Sequence, residues 1–189
     1  MKIIGVGCGV GMLTKEGETA LITARFIYGS NRAIELVRSF IPKDAEVVEI
    51  TDYKALRTLP KDAVILSTGD PLMAGLGYLP GEVIPGISSM QTAFARLHAS
   101  WTNVAVVNAH GKNHADAILH AVSDITAGHS VFLIAEPDFS VEELAKALPA
   151  SVKIAVCEDL GYPNERVAEG TGAVPPKVLS RLFCVVCGY

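Results

Sequence analysis

Val64-Ile65-Leu66-Ser67-Thr68-Gly69-Asp70-Pro71 is the stretch whose reading decides the fold. Uncharged residues run straight into a Gly-Asp-Pro turn, the pattern of a strand buried on both faces of a parallel sheet. Ligands in open α/β sheets bind at the carboxyl ends of such strands. Gly69 lets backbone approach a ligand closely because it has no Cβ, and Asp70 sets a fixed carboxylate at the mouth. Asp70 has a second reading, in which it caps the following turn through local backbone bonds. The plan repeats at Val83-Ile84-Pro85-Gly86-Ile87-Ser88-Ser89, where Ser88 and Ser89 are also suited to capping a helix. The two loops are expected to face one pocket.

Outward from this strand the chain alternates. Strands are expected at 2–6, 26–28, 46–50, 104–107, 130–134, 153–157, 166–169 and 183–186. Helices are expected at 14–25, 31–38, 53–59, 88–98, 113–122, 140–148 and 176–182. Thr14 reads as an N-cap and Ser140-Val-Glu-Glu143 as a capping box. Such alternation implies parallel strands joined by crossover helices. A break near 99–103 divides the chain into two small α/β domains, 1–101 and 102–189, with a cleft between them.

The chain has 189 residues, half of them hydrophobic and 19% charged, which suits a globular fold rather than disorder. A net charge of −4 argues against non-specific binding to nucleic acid or to a membrane surface. No apolar run is long enough for a membrane span, and residues 2–13 lack a signal-peptide core, so a cytoplasmic location is expected. Four cysteines are too few for a disulfide framework in a chain of this size.

Gly5-Val-Gly-Cys-Gly-Val-Gly11 invites a dinucleotide-binding reading, but the third glycine falls at the wrong spacing. A tight turn that packs closely or faces a ligand fits better. Cys184 and Cys187 share a terminal strand, where residues i and i+3 point to opposite faces, so they read as core residues. His110, His114 and His120 have no accompanying ligands at metal-site spacing, and no metal is expected. His114 and His120 read as solvated, whereas His110 lies just past a strand end, where ligand contacts collect.

Taken together, three stretches resemble the tetrapyrrole methylases: Gly5-Val-Gly-Cys-Gly with Leu13-Thr14, Ser67-Thr-Gly-Asp-Pro-Leu-Met-Ala-Gly75, and Ile84-Pro-Gly-Ile-Ser-Ser-Met-Gln-Thr-Ala93. Supporting matches are Ile27-Tyr-Gly-Ser-Asn-Arg32, Ala109-His-Gly-Lys112, Val156-Cys-Glu-Asp-Leu-Gly161 and Asn164-Glu-Arg-Val-Ala-Glu-Gly-Thr171, which are sharpest toward the branch methylating C5 of a late corrinoid precursor. The resemblance implies a homodimer that holds S-adenosylmethionine between its domains. Carried over by position, cofactor contacts would come from Cys8, Thr68, Gly69, Asp70, Met73, Ser88, Ser89, Ile134 and Gly170. Cys8 stands where the family usually has proline.

Arg32, His110 and Lys112 are candidates to meet the carboxylates of a tetrapyrrole substrate. No acid–base pair stands out, which suits a transfer driven by an activated methyl group. A separate enzyme would then carry out methylation at C15 and the accompanying decarboxylation. The alternatives are a sister methylase of the same fold acting on another ring carbon, on diphthamide or on ribosomal RNA, a nicotinamide dehydrogenase, and a non-catalytic tetrapyrrole carrier.

Overall fold

The computed structural model describes residues 1–111 and 113–189, and the chain divides into two units, Met1–Ser89 and Met90–Tyr189. In the first unit, β1 (Lys2–Gly5), β2 (Phe26–Gly29), β3 (Glu46–Glu49), β4 (Val64–Ser67) and β5 (Glu82–Ile84) form one parallel sheet in the order β3-β2-β4-β1-β5. All four residues of β4 are buried, as its uncharged run requires.

Alternate strand residues feed two clusters. Ile4, Val64, Leu66 and Ile84 pack with Leu21 of α1 (Lys15–Leu21) and with Ala33, Ile34 and Val37 of α2 (Asn31–Val37). On the other face Ile3 and Ile65 meet Leu56, Leu76 and Leu79. Each fully buried aliphatic side chain contributes about 1.5–3 kcal/mol, so this pattern fixes the register of the sheet. Thr14 caps α1 as expected, its hydroxyl accepting from the Gly17 amide at 3.1 Å, and Ser30 caps α2 likewise. The helix expected at 53–59 is only a short 3-10 turn, Ala55–Thr58.

The second unit holds α3 (Ser89–Arg96) apart from its first residue, β6 (Val104–Asn108), α4 (His114–Thr126), β7 (Ser130–Ile134), α5 (Val141–Ala147), β8 (Lys153–Glu158), β9 (Arg166–Thr171) and β10 (Phe183–Cys187). Ser140 caps α5, accepting from the Glu143 amide at 3.1 Å. The sheet order is β6-β7-β10-β8-β9, and only β6 and β7 are parallel neighbours. This corrects the expectation of parallel strands throughout, since no helix separates β8, β9 and β10. Cys187 lies in the main core cluster and Cys184 on the opposite face of β10. Neither is in a disulfide, and burial pushes the thiol of Cys187 up to about 12. Among the described residues no helix is long and apolar enough to cross a membrane.

The helix expected at 176–182 does not form. The Leu179 and Ser180 amides, which a helix would direct to its own carbonyls, donate instead to the carboxylate of Glu158. Glu158 is 1% exposed, and Arg166, its cross-strand partner, binds its other oxygen at 2.5 Å while also donating to the Lys177 carbonyl. Burial alone would raise the pKa of this carboxyl, but the Leu179 amide, Arg166 and the Ser180 amide outweigh it and hold the group below the ordinary carboxylate range. Glu158→Gln is therefore expected to lose about 1–3 kcal/mol at neutral pH. Because the folded-state pKa is the lower one, this stabilisation is complete above the unfolded pKa and is lost as pH falls through the folded one. Urea unfolding of both proteins at neutral pH and below pH ~4 checks it, and the difference should shrink in acid.

Candidate active site

Parallel pairing places the ends of β4, β1 and β5 side by side, and their loops are joined by main-chain bonds. The Val6 amide donates to Ser67, Gly7 and Gly69 exchange bonds of 3.3 and 2.8 Å, and the Cys8 amide donates to the Ile87 carbonyl at 3.0 Å. The approach is close enough to demand glycine. A Cβ on Gly5 would lie 2.6 Å from the Gly86 Cα and 2.8 Å from the Gly69 carbonyl oxygen, and one on Gly86 would strike that same oxygen. Gly5 is thus a packing glycine, and Gly7, at φ +85°, lies against Met12 in the turn.

Asp70 performs its capping role and more. Oδ1 accepts from the Leu72 amide at 2.9 Å and the Met73 amide at 3.4 Å, while Oδ2 accepts from the Gly86 amide at 3.2 Å. One carboxylate therefore organises its own turn and ties it to the loop after β5. The two expected loops do meet here. Gly69 is buried with φ +69°, and a Cβ there would make ordinary contact with the Ser88 Cα at 3.8 Å. Thr68 and Asp70 flank it in sequence and are half-buried, as is Met73; in the loop after β5 Ser88 is buried and Ser89 half-buried. Arg32 is exposed and donates to the Thr68 hydroxyl at 3.0 Å. Cys8 directs its Sγ toward Met12 Sδ at 3.5 Å.

In the second unit Ile134 ends β7, paired with Asn108 and Cys184. Gly170 lies in β9, where a Cβ would meet the Val174 carbonyl and Pro176, so its lack of a side chain admits the returning chain. Lys112 lies outside the described residues. His110 follows β6, its amide donating to Asn108 Oδ1 at 2.9 Å. His120 is exposed.

His114 corrects the expectation of a solvated ring: Nε2 is 2.6 Å from Glu136 Oε1, and the ring meets Phe139 edge-on. That bond is the main cause holding the Glu136 carboxyl below its ordinary value. Sequence reasoning passed over Glu136, although it follows a strand end just as His110 does. Among the described residues no cluster of three or more His, Cys, Asp or Glu is arranged to hold a metal ion.

The chain belongs to the tetrapyrrole (corrin/porphyrin) methylases, whose family model matches residues 2–174. It is similar to the probable cobalt-precorrin-7 C(5)-methyltransferase of Methanocaldococcus jannaschii, 27% identical over 188 aligned positions covering 88% of this chain and 86% of that protein. Among solved structures it resembles the cobalamin-biosynthesis precorrin-6Y methylase CbiE of Archaeoglobus fulgidus, with TM-score 0.77, 25% identity, and coverage of 98% and 96% of the two chains. A diphthine synthase shares the architecture at TM-score 0.67 and 15% identity, covering 98% of this chain and 89% of its own. The family inferred from the motifs is the one found.

The crowding at Gly86 is directly testable. Gly86→Ala should lower stability by about 1–3 kcal/mol, since the added methyl meets backbone that cannot rotate away. Thermal unfolding of the variant at the wild-type temperature would contradict the loop packing described.

Proposed function

We propose that this methylase transfers a methyl group from S-adenosylmethionine to C5 of a late corrinoid precursor, cobalt-precorrin-7 or its metal-free form. Any cobalt belongs to the substrate. The observation that carries the reading is the glycine-packed loop set joined by Asp70, in a chain similar along most of its length to a C5-methyltransferase of that kind.

The donor set fits the cofactor. Asp70 and Thr68 offer oxygen acceptors suited to ribose hydroxyls and to a sulfonium cation, and glycine backbone leaves room for close approach. When bound, S-adenosylmethionine supplies an electrophilic methyl on a cationic sulfur. Within the first unit, Cys8, Thr68, Gly69, Asp70, Met73, Ser88 and Ser89 hold it. Asp70 keeps the loop after β4 in register with the loop after β5, so its role is preorganisation as much as contact.

Arg32, His110 and Lys112 meet the tetrapyrrole. Arg32 is braced by Thr68, and its remaining donors are available for a substrate carboxylate. The protein acts as a cytoplasmic homodimer, alongside a separate enzyme that methylates C15 and removes the carboxyl group.

Asp70→Ala should weaken binding of S-adenosylhomocysteine about tenfold or more by calorimetry, as loss of a charged hydrogen-bonding group does. Unchanged affinity would remove Asp70 from the site. Carbon NMR of the product formed from labelled donor and a C15-methylated corrinoid should show one new methyl, at C5. Label at another carbon would assign the chain to a sister methylase. Light scattering should give the mass of a dimer.

A further inference from the structure

β4, β1 and β5 are neighbours, and the two ends of these strands are built differently. At the starting end charge is ordinary: Lys2 opens β1, Lys61 and Asp62 precede β4, Glu82 opens β5, and Lys2 pairs with Glu82 at 3.3 Å. At the finishing end the loop residues 6–14, 68–81 and 85–88 hold a single charged side chain, Asp70, in a chain that is 19% charged. Both Asp70 oxygens are occupied by amides, those of Leu72, Met73 and Gly86.

Polar side chains suit exposed loops, yet each of these three loops sets an aliphatic one in solvent. Leu72 is 64% exposed, Val10 62% and Ile87 37%. Each stands close to a bond that joins the loops. The Leu72 amide is held by Asp70, the Ile87 carbonyl accepts from the Cys8 amide, and Val10 is two residues beyond Cys8. Backbone therefore fixes their positions, while their side chains add little to the core. Next in sheet order, after β2, exposed Arg32 is braced on the Thr68 hydroxyl at 3.0 Å. The edge thus runs Arg32, Leu72, Val10, Ile87 across four adjacent strands, a span of about 14 Å.

Aliphatic side chains gathered in solvent on a rigid edge mark a contact surface, and what borders them identifies the occupant. S-adenosylmethionine is polar and cationic, and the acceptors suited to it are Asp70 and Thr68, so the aliphatic rim is left over. A wide apolar ring with acid groups at its periphery matches the rim: its face covers the aliphatics and one acid group meets the guanidinium. We propose that Val10, Leu72 and Ile87 form the bed on which the face of the tetrapyrrole ring lies, with Arg32 taking an acid arm at one end. This rests on the methyl-transfer reading, in which a ring carbon must come up to the sulfonium. The carbon frame offers few hydrogen-bond partners, so apolar contact on the cofactor's own loops and a charged anchor beside them set its position.

Calorimetry on the full chain saturated with S-adenosylhomocysteine tests this, with cobyrinic acid, a carboxylate-bearing corrinoid, as the probe. Leu72→Ser and Val10→Ser should each weaken corrinoid binding about tenfold, and Leu72→Met should stay close to wild type. Affinity for S-adenosylhomocysteine, thermal unfolding and the mass in light scattering should not change in the serine variants, because both side chains are exposed. Arg32→Gln should weaken corrinoid binding and reduce its salt dependence, whereas the serine variants keep that dependence. A wild type that does not bind cobyrinic acid, or serine variants that bind it as wild type does, overturns the proposal. So does an equal loss of S-adenosylhomocysteine affinity, which gives the rim to the cofactor, or a changed mass, which gives it to a second copy of the chain. A wild type that binds cobyrinic acid through this bed and methylates no corrinoid would instead overturn the methyl-transfer reading itself.

Discussion

Backbone touching backbone is the constraint on which the first unit depends. Where β1 and β5 end, Gly5 and Gly86 pack main chain against main chain, and the carbonyl of Gly69 lies in the same contact. Side chains cannot enter, so the loops are held by what backbone offers, amides and carbonyls, and by one side chain that reaches across. Asp70 satisfies amides of its own turn and of the neighbouring loop together. The position of this whole edge of the sheet follows from the contact, because each loop can shift only if the others shift with it.

The second unit solves the same problem with charge. Three carboxylates face a basic side chain, and two of them also accept backbone amides: Glu136 takes His114, Glu158 takes Leu179, Ser180 and Arg166, and Glu165 takes Gly161 and Arg96. Each is held below the ordinary carboxylate range, with Arg96 the main cause at Glu165. At Glu158 and Glu165 such anchors fix the chain where it passes directly between antiparallel strands, without adding apolar surface.

The parallel sheet was legible because β4 is uncharged throughout and bounded by small residues, a pattern that few other environments explain. The caps at Thr14 and Ser140 were legible because a hydroxyl three residues before a free amide is a local signal. Segment 176–182 misled for the opposite reason. Its composition permits a helix, and what prevents one is a buried glutamate about twenty residues earlier in sequence, a non-local competitor for its amides. The pairing of His114 with Glu136 was hidden in the same way, since parallel register brings together residues that sequence keeps apart. At Asp70 sequence left two roles open, and geometry shows one side chain capping its turn and bridging to the next loop.

The topology also governs how the protein is made. β8 and β9 are joined by a short connection and can pair as soon as both exist, but β1 must wait, since Lys2 pairs with Val64 on one side and Glu82 on the other. Non-local parallel pairing of this kind is slow because chain entropy is spent before contacts reward it. During synthesis Ile3, Ile4 and Val6 therefore stay without partners until most of the first unit has left the ribosome. A chain whose first strand waits so long for its neighbours is exposed to misassociation through that strand, and overproduction in a host short of chaperones would reveal that as inclusion bodies.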